Sequence, residues 1–379
     1  MRKTLVAIAA ASSMLFVLGG CSTEDDTATD NTAPAASESA AAGGQTTTTC
    51  APGDRIAVSL PAQTSENWTL AKALFEQGIE DAGFTPDVQF SDAASAAASQ
   101  QQKIDNMLTQ QAKVLVIGAE DGKQLTNQVS TAETQGVPVV AYDRPIDAEG
   151  TDYYVAFDNF KVGQLQGQAL LDGMAERWSG TDKYNIELFA GAATDANAPV
   201  FFNGAMDVLQ PKIDDGTLTV TSGQTTFQQV STEGWKKEKA QERMENLITN
   251  YYSDDTELHG VLSPNDQLAE GILNAANNAK LTPVVTGQDS EVVAVTRVAA
   301  GEQWSTIYKD TRKLVAQTVE MIEKICTGEV FPTTEVFTTD SGVEIPTYYL
   351  EPLIVTAANG AEVYADNEEL LAAFNKGLS

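Results

Sequence analysis

A single histidine, His259, stands in the whole chain of 379 residues, beside only three cysteines, Cys21, Cys50 and Cys326. Any Ser-His-Asp or Cys-His nucleophile would have to run through His259. That residue precedes Gly260-Val261-Leu262-Ser263 and reads as an ordinary surface residue at the beginning of a strand. No group of residues has zinc-ligand spacing, so neither a catalytic residue nor a metal is expected. Basic charge is equally scarce: 23 Lys and Arg stand against 53 Asp and Glu, a formal net charge of -30. Such a surface repels phosphate backbones, which excludes nucleic acid as a partner; its plain reading is good solubility. No apolar run is long enough for a bilayer span. Neither GxGxxG nor GxxxxGK[ST] occurs, so no dinucleotide, nucleoside triphosphate or other cofactor is implied.

What is present begins at the first residue. Arg2 and Lys3 form a short basic start, Thr4 to Val17 is apolar and alanine-rich, and Leu18-Gly19-Gly20-Cys21 closes the segment with small residues. This resembles the signal peptide and lipobox of bacterial lipoproteins. The resemblance implies that residues 1–20 are a signal peptide and that Cys21 is acylated, anchoring an exported chain to the outer face of the cell membrane. A non-lipidated signal with an incidental cysteine is the alternative. Residues 21–53 then form an acidic linker rich in Ser, Thr, Ala and Gly without a residue able to build a core, a composition that predicts a flexible spacer. The globule is expected to start near Asp54, leaving about 325 residues, room for two domains. Cys50 and Cys326 could form a disulfide in an exported protein, although sequence does not say whether they meet.

From Arg55 the pattern is strand then helix, repeated. Ile56–Leu60, Pro86–Phe90, Val114–Ile117, Val137–Ala141 and Tyr153–Phe157 read as strands, with helices from Ser65 to Gly83, Ala96 to Leu108 and Asp121 to Gln135. The alternation restarts with strands at Ile186–Phe189, Leu218–Thr221, His259–Ser263, Pro283–Thr286 and Trp304–Tyr308. Helices are expected near 198–213, 237–251, 267–279, 291–299 and 309–327. Two open parallel sheets with helices on both faces are the natural outcome, an α/β class. Ligands of such sheets sit beyond the carboxyl ends of the strands. The loops there (61–68, 118–122, 142–145, 191–197, 264–266 and 287–289) are rich in Asp, Asn, Gln, Arg and Trp. Planar amides and carboxylates match adjacent hydroxyls, and indole faces cover C–H faces, so the composition suits a neutral, hydroxyl-rich ligand.

Several of these loops carry a more specific signal. Tyr142-Asp143-Arg144-Pro145-Ile146 is followed by Tyr153-Tyr154-Val155-Ala156-Phe157-Asp158-Asn159-Phe160-Lys161-Val162-Gly163. Further on come Thr194-Asp195-Ala196-Asn197, Phe201-Phe202-Asn203-Gly204-Ala205-Met206, Leu262-Ser263-Pro264-Asn265-Asp266 and Gly287-Gln288-Asp289-Ser290-Glu291. In this order, spread from about Ile56 to Thr356, they resemble the periplasmic-binding-protein family of the xylose and multiple-monosaccharide type, the extracytoplasmic receptors of ABC sugar importers.

The resemblance implies two Rossmann-like lobes joined by three crossings and closing on a sugar. The crossings are expected near Asp158-Asn159, between Asp289 and Trp304, and near Pro346 to Pro352. The N-terminal lobe would comprise 54–158 plus 290–345, and the C-terminal lobe 159–289 plus 346–379. Residue by residue, Asp143 would accept from two sugar hydroxyls and Arg144 would donate a fork to a hydroxyl and the ring oxygen. An Asp143–Arg144 pair that merely steadies the strand-end turn is the alternative. Asn197, Asn265 and Asp289 would face them from the other lobe, Lys309 would reach in from the hinge, and Trp68 and Trp235 would be aromatic plates. Trp178 and Trp304 are expected to pack. Where this family type often reads Ser-x-Arg-Trp, this chain reads Ser65-Glu66-Asn67-Trp68, which leaves the identity of the sugar open between aldopentose and aldohexose. The implied function is non-enzymatic: a monomer that delivers a monosaccharide to an ABC permease, or a receptor that signals sugar occupancy to a chemoreceptor or sensor kinase.

Overall fold

The computed structural model describes residues 45–253 and 256–379; the signal segment, Cys21 and most of the spacer lie outside them. The chain runs β1 (Arg55–Leu60), α1 (Glu66–Asp81), β2 (Thr85–Phe90), α2 (Ala96–Thr109), β3 (Val114–Ile117), α3 (Thr126–Thr134), β4 (Val139–Tyr142) and β5 (Tyr153–Phe157). It continues through α4 (Asn159–Arg177), β6 (Tyr184–Leu188), α5 (Asn197–Asp214), β7 (Leu218–Val220), α6 (Phe227–Val230), α7 (Lys237–Tyr251), β8 (Gly260–Leu262), α8 (Asp266–Asn278), β9 (Val284–Val285) and α9 (Val292–Ala299). Last come β10 (Ser305–Tyr308), α10 (Thr311–Cys326), β11 (Glu335–Thr338), β12 (Glu344–Leu350), β13 (Leu353–Thr356), α11 (Gly360–Val363) and α12 (Glu368–Gly377).

The first lobe is a seven-stranded sheet ordered β11-β12-β5-β4-β3-β1-β2, parallel except for the edge strand β11. Its central strands β3, β4 and β5 are buried at every position because both faces are covered, whereas the edge strands β2 and β11 carry polar, exposed residues. Ile56, Val58, Leu60, Val114, Val116, Val140 and Tyr142 pack with Phe75 and Ile79 of α1 and Leu314, Met321 and Ile322 of α10. The alternate residues Ala57, Leu115, Ile117, Val139 and Ala141 pack with Ile104 and Met107 of α2 and Val129 of α3. The second lobe holds a parallel sheet ordered β7-β6-β8-β9 and an antiparallel pair, β10 with β13. Helices α7 and α8 pack on one side of it, α4 and α5 on the other. The long helix α4 has no counterpart in the apolar pattern, because its buried face includes Asn159, Gly163, Gln166, Gly167 and Gly173. Those glycines let α5 approach: a Cβ at Gly163 would overlap the Phe201 carbonyl, and one at Gly204 the Phe160 carbonyl. The helix expected over 121–135 is two pieces, a 3₁₀ turn at Gly122–Gln124 and then α3.

Strand pairing moves two of the expected boundaries. Because β10 pairs with β13 and not with the first sheet, residues 290–308 go with the second lobe, and the chain crosses at Lys309-Asp310 rather than between Asp289 and Trp304. Because β12 pairs with β5, residues 346–350 stay with the first lobe, and the last crossing falls at Glu351-Pro352. The first and last crossings lie side by side; Asp158 N donates to Leu350 O at 3.1 Å. Cys50 and Cys326 are joined in a disulfide with Cα atoms 4.9 Å apart. Around it Thr48 N donates to Ile325 O and Cys50 N to Cys326 O, so the entry of the chain is clipped to the end of α10.

His259 stands immediately before β8, yet it is buried and not on the surface. Its ring lies between Trp178 and Tyr184, and its Nδ1 accepts from Asn185 N at 3.0 Å. Burial pushes its pKa down. Trp178 and Trp304 both pack in the second lobe, as expected.

Candidate functional site

The carboxyl ends of both sheets open onto one cleft. All eight residues singled out as ligand contacts line it: Trp68, Asp143, Arg144, Asn197, Trp235, Asn265, Asp289 and Lys309. The backbone is bent to present them. Among the described residues only six other than glycine have positive φ, and Asp143 (62°), Trp235 (56°) and Asp289 (96°) are three of them, with Ser290 (52°) next to the third. Left-handed backbone at such residues costs on the order of 1–3 kcal/mol each and is a mark of ligand clamps. The Asp143 turn is held because Asp143 N donates to Val155 O at 2.8 Å.

Opposite charges meet across the cleft. Arg144 Nε pairs with Asp195 Oδ2 at 3.1 Å, and Arg144 Nη1 donates to Ala119 O at 3.1 Å. The expected alternative, an Asp143–Arg144 pair holding the turn, is therefore not what forms: the arginine reaches over its neighbour to the second lobe. The guanidinium also lies 5.2 Å from the centroid of the Trp68 ring. Asp195 is a hub, since it also accepts from Trp235 Nε1 at 3.2 Å and from Asn197 N at 2.9 Å. The Trp235 ring rests on Gly191, where a Cβ would overlap its outer edge.

Lys309 Nζ pairs with Asp289 Oδ1 at 3.0 Å and lies 5.5 Å from the Phe201 ring centroid. Burial alone would lower its pKa, but Asp289, Asp143 and Asp195 outweigh it and raise the pKa, so the ammonium stays charged. Asp143 is the converse: burial pushes its carboxyl up, against the pull of Lys309 and Arg144. Asn197 Nδ2 donates to Asp143 O at 2.6 Å and its Oδ1 accepts from Tyr154 OH at 3.1 Å, so this amide joins the lobes directly. Asn265 caps α8, its Oδ1 accepting from Leu268 N at 3.0 Å. No group of His, Cys, Asp and Glu among the described residues has the arrangement of a metal site. No helix among them is long and apolar enough to cross a membrane.

This two-lobed cleft has relatives. A family model described as a periplasmic binding protein domain matches residues 56–329. The multiple sugar-binding periplasmic receptor ChvE of Rhizobium radiobacter is 40% identical over 319 residues, covering 82% of this chain and 89% of that protein. The chain belongs to the periplasmic binding protein family. The D-xylose-binding periplasmic protein of Escherichia coli (strain K12) is another relative in this family, 30% identical over 80% of this chain and 87% of its own length. Among solved structures, an ABC transporter solute binding protein from Clostridium phytofermentans with bound β-D-glucose superposes with a TM-score of 0.78 at 35% identity. It covers 84% of this chain and 100% of its own.

For a periplasmic binding protein the cleft also contains residues that sequence reasoning passed over. Asp195 sits inside a quoted motif but was not assigned a role; two residues before Asn197, it was the place to look for the arginine's partner. Phe157, Phe201 and Leu314 form apolar wall, and Gln267, Gln288 and Thr311 add polar edge. Phe157 reads as core because its strand is buried throughout, and Leu314 because it lies on the buried face of α10.

Proposed function

We propose that the chain is an extracytoplasmic receptor that captures a monosaccharide, an aldopentose or aldohexose, between its two lobes and hands it to an ABC permease. One observation carries this reading: planar amides, carboxylates, a guanidinium and two indoles from both lobes converge on one buried cleft. That is the chemistry of a neutral polyhydroxylated ring, whose hydroxyls take bidentate partners and whose C–H faces take aromatic ones. The relatives named for sugars, and the glucose in the Clostridium phytofermentans structure, support the same ligand class.

In this reading Asp143 and Asp289 accept from ring hydroxyls. Arg144 donates through Nη2, since Nε and Nη1 are engaged by Asp195 and Ala119. Asn265 offers its amide nitrogen, because its oxygen caps α8, and Asn197 and Lys309 complete the polar ring. Trp68 and Trp235 flank the sugar. A ligand touching both lobes shifts the balance toward the closed form, which the permease reads. The protein is not an enzyme: its one histidine is built into the second lobe against Trp178 and Tyr184, and the family is one of binding proteins. Residues 1–20 act as the signal, and acylated Cys21 with the linker to 53 tethers a monomeric globule to the membrane. The support for that tether is the Leu18-Gly19-Gly20-Cys21 sequence.

Calorimetric titration of refolded protein against D-glucose, D-xylose, D-galactose, L-arabinose, D-ribose and a disaccharide tests the proposal. Tight binding of at least one aldopyranose and rejection of the disaccharide are expected. Absence of binding across the whole panel would overturn it.

A further inference from the structure

At the mouth of the cleft the two lobes are fastened by a set of bonds that runs from the start of α1 to the backbone of Asp289 and the residues after it. Ser65 caps α1, accepting from Asn67 N at 3.1 Å. The two residues after it reach across: Asn67 Nδ2 donates to Asp289 O at 3.0 Å, and Glu66 Oε2 accepts from Val292 N at 3.0 Å. The receiving segment, Asp289–Val292, begins with two successive non-glycine residues of positive φ, Asp289 and Ser290. It is braced from below by Asp266, whose Oδ2 accepts from Glu291 N at 3.1 Å, and by Tyr364 OH on Ser290 Oγ at 2.8 Å. Between these bonds lies Glu291. Its Oε1 is shut off from solvent and has no hydrogen-bond partner.

We propose that Ser65–Asn67 and Asp289–Val292 form an interlobe latch favoured by acid: closing brings the carboxylates of Glu66 and Glu291 together, so the closed, sugar-holding form takes up a proton from solvent that the open form gives back. The proposal rests on the reading that the lobes close on a sugar. Glu66 belongs to the first lobe and Glu291 to the second, so their repulsion exists only when the lobes are shut. Burial, then Asp289, then Glu66 push the Glu291 carboxyl up to about 7; hydrogen bonding to its carboxyl by the side chains of Ser65, from the first lobe, and Gln267 acts the other way and is outweighed.

The other charges around the latch do not neutralise Glu291. Asp266 lies beneath it, its own pKa pushed well up by burial. Lys309 is held by Asp289. Glu369 of α12 lines the groove outside Glu66, and Arg297 of α9 is paired with Glu270, which also holds Lys237. The sign follows: a carboxyl whose pKa is higher in the closed form favours closure below that value. The advantage is full near the open-state pKa and is lost as pH rises through about 7. Asn67, at the position where the resembling type has arginine, serves here to close the cleft.

Titration of the full globule with D-glucose at about pH 5.5 and about pH 8 tests the latch. A neutral sugar does not titrate in this range, so affinity should be roughly tenfold tighter at the lower pH. Binding near neutrality should take up protons, read as a dependence of the heat on the ionisation heat of the buffer. Glu291→Gln should bind at both pH values as the unaltered protein binds at the lower one. Glu66→Gln, an exposed change that keeps an acceptor for Val292 N, should flatten the profile as well and stands in if the first variant folds poorly. Equal affinity at the two pH values, or a pH dependence that survives in Glu66→Gln and Glu291→Gln, would overturn the latch alone. Failure of every panel sugar to bind at either pH would overturn the receptor reading and the latch with it.

Discussion

Arg144 of the first lobe and Asp195 of the second are paired at 3.1 Å, with both side chains buried. The arginine begins at a strand end bent by the positive φ of Asp143, and the aspartate sits in the loop between β6 and α5. Among the described residues neither forms another ion pair, and because they belong to different lobes the pair exists only while the lobes are together. In the proposed receptor it would do two things at once: aim the guanidinium's remaining donors into the cleft, and favour the closed form.

Removing the arginine separates those roles from simple turn stability. Arg144→Ala should weaken sugar binding by about 2–4 kcal/mol, because Asp195 and the sugar's polar groups would be enclosed without their charged donor. The unliganded variant should still melt cooperatively, since the ordinary open form does not need the pair. Thermal melts with and without subsaturating sugar check this: the ligand-induced shift should nearly vanish. A full shift would mean that Arg144 does not touch the ligand.

The class of fold was legible because strands covered on both faces are apolar at every position, as in Val114–Ile117 and Val139–Ala141. Asp143, Arg144, Asn197, Asn265 and Asp289 were legible as cleft residues because they sit in the ordered motifs, whereas Trp68, Trp235 and Lys309 lie outside those motifs and were reached only through the wider resemblance. The lobe assignment of residues 290–308 was not, because periodicity reports that Ser305–Tyr308 is a strand and not which strand it joins. Helix α4 was hidden by small and polar residues on its buried face: Gly163 and Gly167 serve close packing against α5, and Gln166 donates to Pro264 O and Gly287 O, so none of them carries an apolar signal. The Arg144–Asp195 pair was hidden for a related reason: sequence places arginine next to Asp143, and only the closed lobes bring Asp195 nearer. His259 looked like a surface residue because a lone imidazole carries no periodic signal that would reveal Trp178 and Tyr184 on either side.

The disulfide is expected to act on stability and not on recognition. Cys50 and Cys326 are 276 positions apart in sequence, so the bond closes nearly the whole globule into a loop and restricts the unfolded chain strongly. Replacing both with serine should cost about 2–4 kcal/mol, seen as a lower melting temperature. Sugar affinity at room temperature should be unchanged, because the bond ties the chain entry to α10 away from the cleft residues. Scanning calorimetry and titration of the double variant check both halves.

Anchor and globule should be separable. Cys21→Ala is expected to leave sugar binding by the purified protein intact while releasing it from the membrane fraction of expressing cells. Its warrant is the composition of the linker between Cys21 and the Thr46–Cys50 segment that is bonded to the folded body: rich in Ser, Thr, Ala, Gly and acidic residues, it has nothing with which to build a core. Equal retention of the variant and the unaltered protein in the membrane fraction would remove Cys21 as the anchor.

The two cleft tryptophans give the sharpest contrast with a packing residue. Trp68 has Arg144 over its face and Tyr142 against its edge at 6.2 Å, while Trp235 spends its N–H on Asp195 and keeps its ring on Gly191. Each lines the cleft from a different lobe, so each should cover one side of the ligand. Trp68→Ala and Trp235→Ala should each weaken sugar binding by about 1–3 kcal/mol, on the order of ten- to a hundredfold. Trp235→Ala should also lower the closure contribution of Asp195, which loses a donor, and so should show the larger loss of the two. Trp178, packed edge-on to His259 at 5.0 Å at the opposite end of β8, serves as the control: its replacement by alanine should lower the melting temperature and leave affinity nearly unchanged. Titrations and melts of the three purified variants decide the matter. Unchanged affinity in both cleft variants would sink the assignment of Trp68 and Trp235 as plates, even with the fold intact.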